Sequence, residues 1–215
     1  MKMIDTAYLI AFFRLAAERL EDARVHLCTL DGQVGDGDHG TSMANGFLAV
    51  TLRLRMVNAA DLPPDAVLRE AAQAFLAEVG ASVGPLYASG FLSAARALAE
   101  GPLPRRDLHR LLEALAEGIA QRGRAMPGDK TMLDAWIPAA QAAARAAQTG
   151  KDEPAIAEAA SIAASRGMEA TATMIAARGR AARLADRTLG HVDPGAASAA
   201  LLVRVLADLA QDDAR

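Results

Sequence analysis

Three aspartates set among glycines are the residues whose types and spacing could do chemistry. The segment Leu30–Met43 reads LDGQVGDGDHGTSM and carries Asp31, Asp36 and Asp38. Two carboxylates about 4 Å apart repel by about 4 kcal/mol at an effective dielectric of 20, so such a group needs a cation or protons to offset the repulsion. The Asp-x4-Asp-x-Asp spacing suits Mg²⁺, which takes oxygen ligands from carboxylates, waters and phosphates. We therefore predict a divalent-metal site, in which three carboxylates could bridge two ions.

Two other interpretations of this segment compete with the magnesium site. A calcium-binding EF-hand loop needs a bidentate Glu at its twelfth position. Counting from Asp36 places Phe47 there, and counting from Asp31 places Ser42 there, so the EF-hand is excluded. A turn rich in Asp and Gly that is simply solvated by water stays open on these residues alone.

Composition limits the class of protein. The chain of 215 residues is 52% hydrophobic and 23% charged, which is the balance of a globular protein, and we predict a single domain over residues 1–215. A net charge of −3 and an aromatic content of 4% argue against a nucleic-acid partner, which would require clustered Lys and Arg or stacking aromatics.

The N-terminus and the single cysteine bear on location. Asp5, Arg14 and Glu18 come too early in the chain for a signal peptide or a membrane span, so we expect a cytoplasmic protein with no membrane partner. Cys28 is the only cysteine, which excludes an internal disulfide and a multi-cysteine metal site. Its apolar helical surroundings favour a small buried side chain.

Apolar residues recur at helical spacing along nearly the whole chain. Leu9, Phe12, Ala16 and Leu20 form such a stripe in the first segment. Gly, Pro and polar clusters delimit the predicted helices, which cover residues 3–29, 41–57, 64–79, 85–100, 105–122, 131–148, 153–178 and 194–211. Strand-like alternation is absent. The sequence therefore predicts an all-α fold, an antiparallel bundle of eight helices, with Pro138 kinking the sixth.

Short connections between antiparallel helices place successive loops at alternate ends of the bundle. The loops after the second, fourth and sixth helices read NAADLPPD, EGPLPRRD and TGKDEP, which are ordinary helix stops and starts. The loops after the first, third, fifth and seventh read DGQVGDGDHG, GASVGP, GRAMPGD and GRAARLADRTLGHVDPG, and contain most of the glycines. Folding alone does not require this asymmetry, so we predict a functional site at that end.

Several of these loops are suited to a phosphate. Gly84-Pro85 begins a helix, and Pro at the first helical position leaves neighbouring N–H groups free to meet an anion. Asp193-Pro194 has the form of an N-cap followed by a first helical proline. Lys130, in PGDKTM, is interpreted either as a phosphate contact or as a solvated lysine. Metal ligands, helix N-termini and glycine-lined backbone together favour a diphosphate or triphosphate ligand.

Two histidines lie in the glycine-rich loops of the predicted site. A neutral imidazole of His39 or His191 could donate a hydrogen bond to a phosphate or ribose oxygen. The sequence shows no Ser/His/Asp or Cys/His constellation, so we do not expect covalent catalysis by this chain.

Four motifs carry a resemblance to a known family. GDGDHGTSMANGF, GPLY, PGDKTMLDAW and GHVDPGAAS, in this order and spacing, resemble the L subunit of dihydroxyacetone kinase, the nucleotide-binding member of that system. The match runs from Leu30 to the last helix. The resemblance implies an eight-helix antiparallel barrel that holds ADP or ATP at one end through two Mg²⁺ ions. Asp31, Asp36 and Asp38 would then be metal ligands, and the ions would neutralise them.

The same motifs assign further residues to the nucleotide. These residues are His39, Gly40, Thr41, Ser42, Ser82, Val83, Gly123, Met132, Arg180, Asp193, Pro194 and Gly195. One departure concerns the phosphate loop. The family usually reads Gly-Gly-Ala-Ser-Gly-Pro before Leu-Tyr, whereas this chain has Val83 where a serine hydroxyl is usual. We expect no hydroxyl contact to phosphate at that position, whereas backbone N–H contacts do not depend on the side chain.

The resemblance implies one half of a two-component kinase. In the family, a K subunit or domain binds the ketone covalently through a histidine, and the L subunit supplies the phosphoryl group. This chain has no room for a K domain, so we expect it to phosphorylate dihydroxyacetone or a related short ketose only with a separate K subunit. Stand-alone L chains often keep ADP as a resident cofactor that a phosphotransferase-system protein rephosphorylates, and we expect this mode. A subunit that uses free ATP stays open as the alternative donor mode. A homodimer stays open as the oligomeric state.

Two rival functions share some of these features. All-helical pyrophosphohydrolases and prenyl-diphosphate enzymes also use Mg²⁺ and carboxylates, but they place acidic residues at helical spacing, whereas these aspartates lie among glycines. A nucleotide-sensing regulatory module without turnover would share every site residue with the kinase subunit. Only turnover with a K subunit separates such a sensor from a kinase subunit.

Overall fold

Helices make up most of the chain. The computed structural model describes residues 2–80 and 82–212, so Ala81 and the ends of the predicted 1–215 domain lie outside the described residues. The α-helices are α1 (Thr6–Asp22), α2 (Arg24–Val34), α3 (His39–Met56), α4 (Pro64–Glu78), α5 (Val83–Ala97), α6 (Leu108–Gly123), α7 (Leu133–Gln148), α8 (Glu153–Ala170) and α9 (Pro194–Asp212).

The helices pack side by side in a closed ring. α1 packs on α3, each helix from α3 to α8 packs on the next, and α9 returns to α1. α2 continues the direction of the chain beyond α1 and packs mainly on α3 and α9. The predicted all-α antiparallel barrel is therefore confirmed, with α1 and α2 together forming what the sequence predicts as its first helix.

Aromatic side chains fill the centre of the barrel. Phe13, Phe47, Phe75 and Phe91 come from α1, α3, α4 and α5, and neighbouring ring centroids lie 5.5 to 6.2 Å apart. Burial of each such side chain contributes about 1.5–3 kcal/mol to folding. Because these rings occupy the interior, a polar ligand has to bind at an end of the barrel.

The first predicted helix differs from the structure at its C-terminal end. A turn at Ala23 separates α1 from α2, and α2 runs on to Val34, five residues past the predicted end at 29. Asp31 therefore lies in the last turns of a helix instead of in a loop. Gly32 and Gly35, which have low helix propensity, favoured an earlier stop in the sequence.

The seventh predicted helix is shorter than expected. α8 ends at Ala170 instead of 178, and residues 171–193, called here the mouth segment, contain short 3₁₀ turns at Thr171–Thr173 and Ala181–Thr188. The Thr171 hydroxyl donates to the Met168 carbonyl, which closes the last turn of the helix. The Thr171 carbonyl accepts both the Met174 N–H of the following 3₁₀ turn and the Lys130 ammonium.

The end of the barrel opposite the mouth segment carries a small sheet. Met3–Ile4 pairs antiparallel with Leu103–Pro104, in strands too short to show an alternating pattern in the sequence. Pro138 lies inside α7, which continues through it.

Two expectations concern the surface. Cys28 is half-buried instead of buried, because α2 lies outside the ring of helices, and its Sγ is 3.6 Å from the Thr41 hydroxyl. Across residues 2–80 and 82–212, the structure contains no helix with both the length and the apolar character needed to cross a bilayer.

Candidate functional site

A cavity of about 520 Å³ opens at the end of the barrel where the glycine-rich loops meet. This volume is in the range of small-molecule binding sites. The residues predicted for the site that line it are Asp31, Asp36, Asp38, His39, Ser42, Ser82, Val83, Gly123, Met132, Arg180, Asp193, Pro194 and Gly195. The alternation of loops therefore places these residues together, as expected.

The three aspartates converge at one side of the cavity. Each of Asp31, Asp36 and Asp38 offers a carboxylate oxygen, and these atoms all lie within 4.8 Å of one another. The Oδ2 atom of Asp31 accepts the backbone N–H groups of Asp38, at 2.9 Å, and His39, at 3.2 Å. These bonds join the end of α2 to the start of α3. A cluster of hard oxygen donors at this spacing fits a divalent cation such as Mg²⁺.

A cation from the other side of the cavity already faces this cluster. The Arg180 guanidinium donates to Asp36 and lies 3.9 Å from the Asp38 carboxylate. These three side chains are about half exposed, so the pairing contributes little to stability. The contact shows that the aspartates attract positive charge from the mouth segment.

His39 stands at the first position of α3 and is 6% exposed. Its Nε2 lies 2.9 Å from the Ser198 hydroxyl, which donates to the Gly195 carbonyl. Burial lowers the pKa of His39 to about 4, against the opposing effects of the Asp31 charge and the Pro194 backbone. The imidazole is therefore neutral at pH 7, and it ties the start of α3 to α9.

Asp193 caps α9, as its position before Pro194 predicts. Its Oδ2 accepts the N–H of Ala196 at 2.7 Å. Burial raises the pKa of Asp193 to about 7, and the bond from Ala196 and the charge of Lys130 partly oppose that rise. A carboxyl group at the start of a helix is therefore close to its titration point at neutral pH.

The opposite wall of the cavity is apolar and was missed by the sequence reasoning. Leu86, Ile119, Ala125 and Leu133 line it beside Met132. Such a surface suits a flat, weakly polar group such as a nucleobase. At sequence level these residues continue the apolar stripes of their helices, and nothing separates them from core positions.

Two predicted nucleotide contacts do not line the cavity. Gly40 is buried where α3 passes α2, and a Cβ built on it would lie 2.0 Å from the Arg24 carbonyl oxygen. Glycine is needed there for the close approach of two helix backbones. Thr41 is exposed on the outer side of α3, near Cys28. His191 is also outside the lining, and its Nδ1 lies 3.1 Å from Gln33 Oε1.

Lys130 contradicts one of the two interpretations made from the sequence, that of a solvated lysine. It is among the residues that line the cavity, but it does not point into solvent, because it is 2% exposed and its ammonium donates to backbone carbonyls of the mouth segment. Burial lowers the pKa of Lys130, while the charge of Asp193 opposes that shift. The backbone of Lys130 has a φ of 58°, in the left-handed region that residues other than glycine seldom adopt.

The mouth segment supplies lining residues that sequence reasoning did not single out. Arg178, Gly179 and Ala181 line the cavity beside Arg180. Arg178 is held by Asp129, whose Oδ2 lies 3.2 Å from its Nε. The density of arginines in RGRAARLADR was the available signal.

Comparison with known proteins agrees with this geometry. The PEP-dependent dihydroxyacetone kinase ADP-binding subunit DhaL of Escherichia coli (strain K12) is 36% identical over 87% of this chain and 89% of that protein. The PTS-dependent dihydroxyacetone kinase ADP-binding subunit DhaL of Lactococcus lactis subsp. lactis (strain IL1403) is 32% identical over 97% of this chain and 99% of that protein.

A solved structure and a family model match as well. The crystal structure of the dihydroxyacetone kinase from C. freundii in complex with AMP-PNP and Mg²⁺ is similar with a TM-score of 0.71 and 28% identity, over 94% of this chain. This chain spans 34% of that crystallised chain. The family model described as the DAK2 domain matches residues 33–208. The chain therefore belongs to the DAK2 domain family.

Proposed function

We propose that the cavity binds ADP or ATP with two Mg²⁺ ions, and that the chain is the phosphoryl-supplying subunit of a two-component kinase. The observation that carries this proposal is the convergence of three carboxylates with the N-termini of α3, α5 and α9 on one cavity. Asp31, Asp36 and Asp38 would hold the ions, which supply positive charge to the phosphates.

The remaining residues have proposed roles in binding the nucleotide. The proposed contacts are His39, Gly40, Thr41, Ser42, Ser82, Val83, Gly123, Met132, Arg180, Asp193, Pro194 and Gly195. All except Gly40 and Thr41 line the cavity, and this supports the assignment. The apolar wall beside Met132 is suited to the base, which leaves the phosphates to the polar side.

The residues of this chain bind and orient the phosphates. Backbone N–H groups at helix N-termini carry partial positive charge, which stabilises the negative charge that shifts between phosphate oxygens during transfer. Arg180 brings a further cation to the mouth of the cavity. The neutral, hydrogen-bonded His39 is suited to holding the start of α3 in place.

The phosphoryl acceptor is proposed to be dihydroxyacetone, or a related short ketose, held by a separate K subunit. Support comes from two relatives that are similar over most of their length and are named as ADP-binding subunits of dihydroxyacetone kinase. The chain acts as an enzyme only in that complex, and a cytoplasmic location is part of the proposal.

The phosphoryl donor is proposed to be a phosphotransferase-system protein that rephosphorylates resident ADP. The names of the same relatives, PEP-dependent and PTS-dependent, support this mode. The alternative is exchange of free ATP, which is favoured by the structural similarity to a kinase crystallised with AMP-PNP and Mg²⁺.

Purification without added nucleotide, followed by acid extraction, separates the two donors. A resident cofactor gives ADP or ATP in near-equal molar amount to the protein, because slow dissociation keeps it bound. Nucleotide-free protein that needs free ATP for turnover would establish the exchange mode.

Turnover tests the kinase assignment itself. The purified chain should phosphorylate dihydroxyacetone only when a K subunit and a phosphoryl donor are added, and chromatography of the same samples distinguishes a homodimer from a monomer. Turnover without a K subunit would refute the two-component assignment. Nucleotide binding with no turnover in the complete mixture would favour a sensor.

A further inference from the structure

Lys130 lines the cavity, but its buried ammonium is engaged by backbone carbonyls and has no assigned role in the proposed phosphoryl transfer. Its Nζ donates to the carbonyls of Thr171 at 2.7 Å, Met174 at 3.2 Å, Thr188 at 2.7 Å and His191 at 2.6 Å. An ammonium group has three protons and no acceptor, so these carbonyls satisfy it completely. All four carbonyls belong to the mouth segment, near its two ends.

The neighbouring residue makes a second attachment to the same segment. The backbone carbonyl of Asp129 accepts the N–H of Ala177 at 3.0 Å, and its carboxylate pairs with Arg178 at 3.2 Å. Asp129 and Lys130 lie on the loop between α6 and α7. That loop therefore holds the mouth segment near its two ends, through Lys130, and at the start of its arginine-rich part, through Asp129.

Apolar packing contributes little to holding the mouth segment. Its buried residues are Thr171, Ala176 and Thr188, which carry small side chains. Of its large apolar residues, Ile175 and Leu189 are 46% and 44% exposed, Met174 and Leu184 are half-buried, and only Val192, at its C-terminal end, is half-buried against the hydrophobic core. Hydrogen bonds, above all those of the Lys130 ammonium, are thus the main attachment of this segment to the barrel.

The part of the segment between these attachments forms a wall of the cavity. Residues 178–181 line the cavity and lie in the chain between Met174 and Thr188, whose carbonyls Lys130 binds. A ligand inside the cavity meets this wall on its way to solvent. The position of this wall therefore depends on the hydrogen bonds that Lys130 makes to the segment on either side of it.

We propose that Lys130 is a positioning residue that clamps the mouth segment over the cavity and thereby slows the departure of bound nucleotide. The proposal rests on the proposed function, because it needs a nucleotide in the cavity. Without the ammonium the four carbonyls lose a charged donor, and the segment gains by turning them to water. Lys130 is not part of the aromatic core, so its replacement removes no ring contact at the centre of the barrel.

The first test compares dissociation of a fluorescent ADP analogue with Mg²⁺ from wild type, Lys130→Met and the control Lys151→Met. Lys151 is an exposed lysine in the loop after α7, at the opposite end of the barrel. We expect dissociation from Lys130→Met to be faster by about tenfold or more. The association rate should change little. A folding defect would be recognised separately, because it would lower the amount of protein that binds nucleotide. An unchanged dissociation rate would overturn the proposal.

A second measurement reads the clamp without nucleotide. Trypsin cleavage after Arg178, Arg180, Arg183 and Arg187, mapped by mass spectrometry, should be faster in Lys130→Met than in wild type or Lys151→Met. Equal cleavage would show that Lys130 does not hold the segment. A wild-type chain that binds no nucleotide would refute the proposed function, and with it the effect on nucleotide departure, while cleavage would still report the clamp.

Restoring the ammonium alone provides the rescue test and covers the case in which Lys130→Met does not fold. Lys130→Cys is made in a Cys28→Ser background and alkylated with 2-bromoethylamine in denaturant, so that the thiolate displaces bromide and creates a lysine-like arm. After refolding, the alkylated protein should regain slow dissociation and trypsin resistance relative to the unalkylated sample. Equal behaviour of the two samples would overturn the proposal.

Discussion

Arg180 pairs with Asp36 across the mouth of the cavity, although 144 positions separate the two residues in the chain. The aspartate comes from the connection between α2 and α3, and the arginine from the mouth segment. Their meeting is a consequence of the closed ring, in which α9 lies beside α1 and brings the last loop next to the first. The guanidinium thus pairs with carboxylates that we propose to hold a divalent cation.

The first prediction is that Arg180 competes with metal in the nucleotide-free protein. Arg180→Gln should raise the affinity for Mn²⁺, used as a probe for Mg²⁺, by up to about fivefold, since exposed ion pairs are worth at most about 1 kcal/mol. Titration followed by electron paramagnetic resonance measures it. The control Arg183→Gln removes the same charge from the same segment. An equal rise in both variants would mean that only the general field matters.

The second prediction concerns the metal-binding carboxylates. Asp36→Asn and Asp38→Asn should each weaken ADP binding in the presence of Mg²⁺ by about a hundredfold or more, since even groups outside the ligand shell are worth about tenfold to a hundredfold. The thermal midpoint should hold or rise, because a repelling charge is lost. Calorimetry and circular dichroism check both. The exposed carboxylate control, Glu100→Gln, should bind as wild type, and equal ADP affinity with and without EDTA would contradict the metal site.

The third prediction concerns the contact between α2 and α3. A Cβ at Gly40 would lie 2.0 Å from the Arg24 carbonyl oxygen, and backbone atoms cannot move aside as a side chain can. Gly40→Ala should therefore lower the free energy of unfolding in urea by about 1–3 kcal/mol. It should also weaken metal binding, because Asp31 and Asp38 lie on the two parted elements.

The matched control for Gly40→Ala is Gly32→Ala. The nearest atom to a Cβ at Gly32 is the Gly37 Cα, at 3.9 Å, which is an ordinary contact. Since Gly32 lies within α2, alanine should stabilise it by up to about 1 kcal/mol. Equal destabilisation by both substitutions would show that the close approach of α2 and α3 is not the cause.

The fourth prediction is a pH dependence of stability that belongs to Asp193. Its folded-state pKa of about 7 is above the ordinary value for Asp, so between these values the folded protein keeps a proton that the unfolded chain has lost. Its contribution to the free energy of unfolding must therefore fall as the pH rises from about 4 to about 7, by at most about 1.4 kcal/mol per pH unit. Above pH 7 this contribution is constant.

Asp193→Asn isolates that contribution, because Asn also accepts the capping bond at the start of α9. His39, whose pKa is lowered to about 4, contributes a slope of the opposite sign over part of the same range, so only the difference between variant and wild type is informative. In urea denaturation with EDTA, the free energy of unfolding of Asp193→Asn should increase relative to that of the wild type as the pH rises towards 7. Parallel pH profiles would show that the carboxyl is not perturbed.

The sequence by itself determined the fold class, the antiparallel order of the helices and the end that carries the cavity. Apolar stripes with a period near 3.6 residues predict helices, and short connections force neighbouring helices to alternate in direction. These are local properties, so they can be read from the chain. The aspartates are also a local signal, because Asp36 and Asp38 share one connection and Asp31 is five residues away.

Tertiary structure decided where α2 and α8 end. α2 continues past Asp31 and through Gly32 to Val34 because it packs on α3 and α9, and tertiary packing overrides weak intrinsic propensity. α8 stops at Ala170, where the Thr171 carbonyl accepts the Met174 N–H of a 3₁₀ turn together with the ammonium of Lys130 from another loop. Neither cause is visible in the residues next to the helix end.

Tertiary structure alone also decided what Lys130, Gly40 and Arg180 do. A lysine in a glycine-rich loop favours solvent or a phosphate, whereas the fold surrounds this one with carbonyls 41 to 61 positions away in the chain. Gly40 lies two positions after Asp38 in the sequence, yet its close neighbour is the backbone of α2. Such partners are set by how the helices and their connecting loops pack. Residues far apart in the chain come into contact only in the folded protein, so the sequence around each residue does not identify its partners.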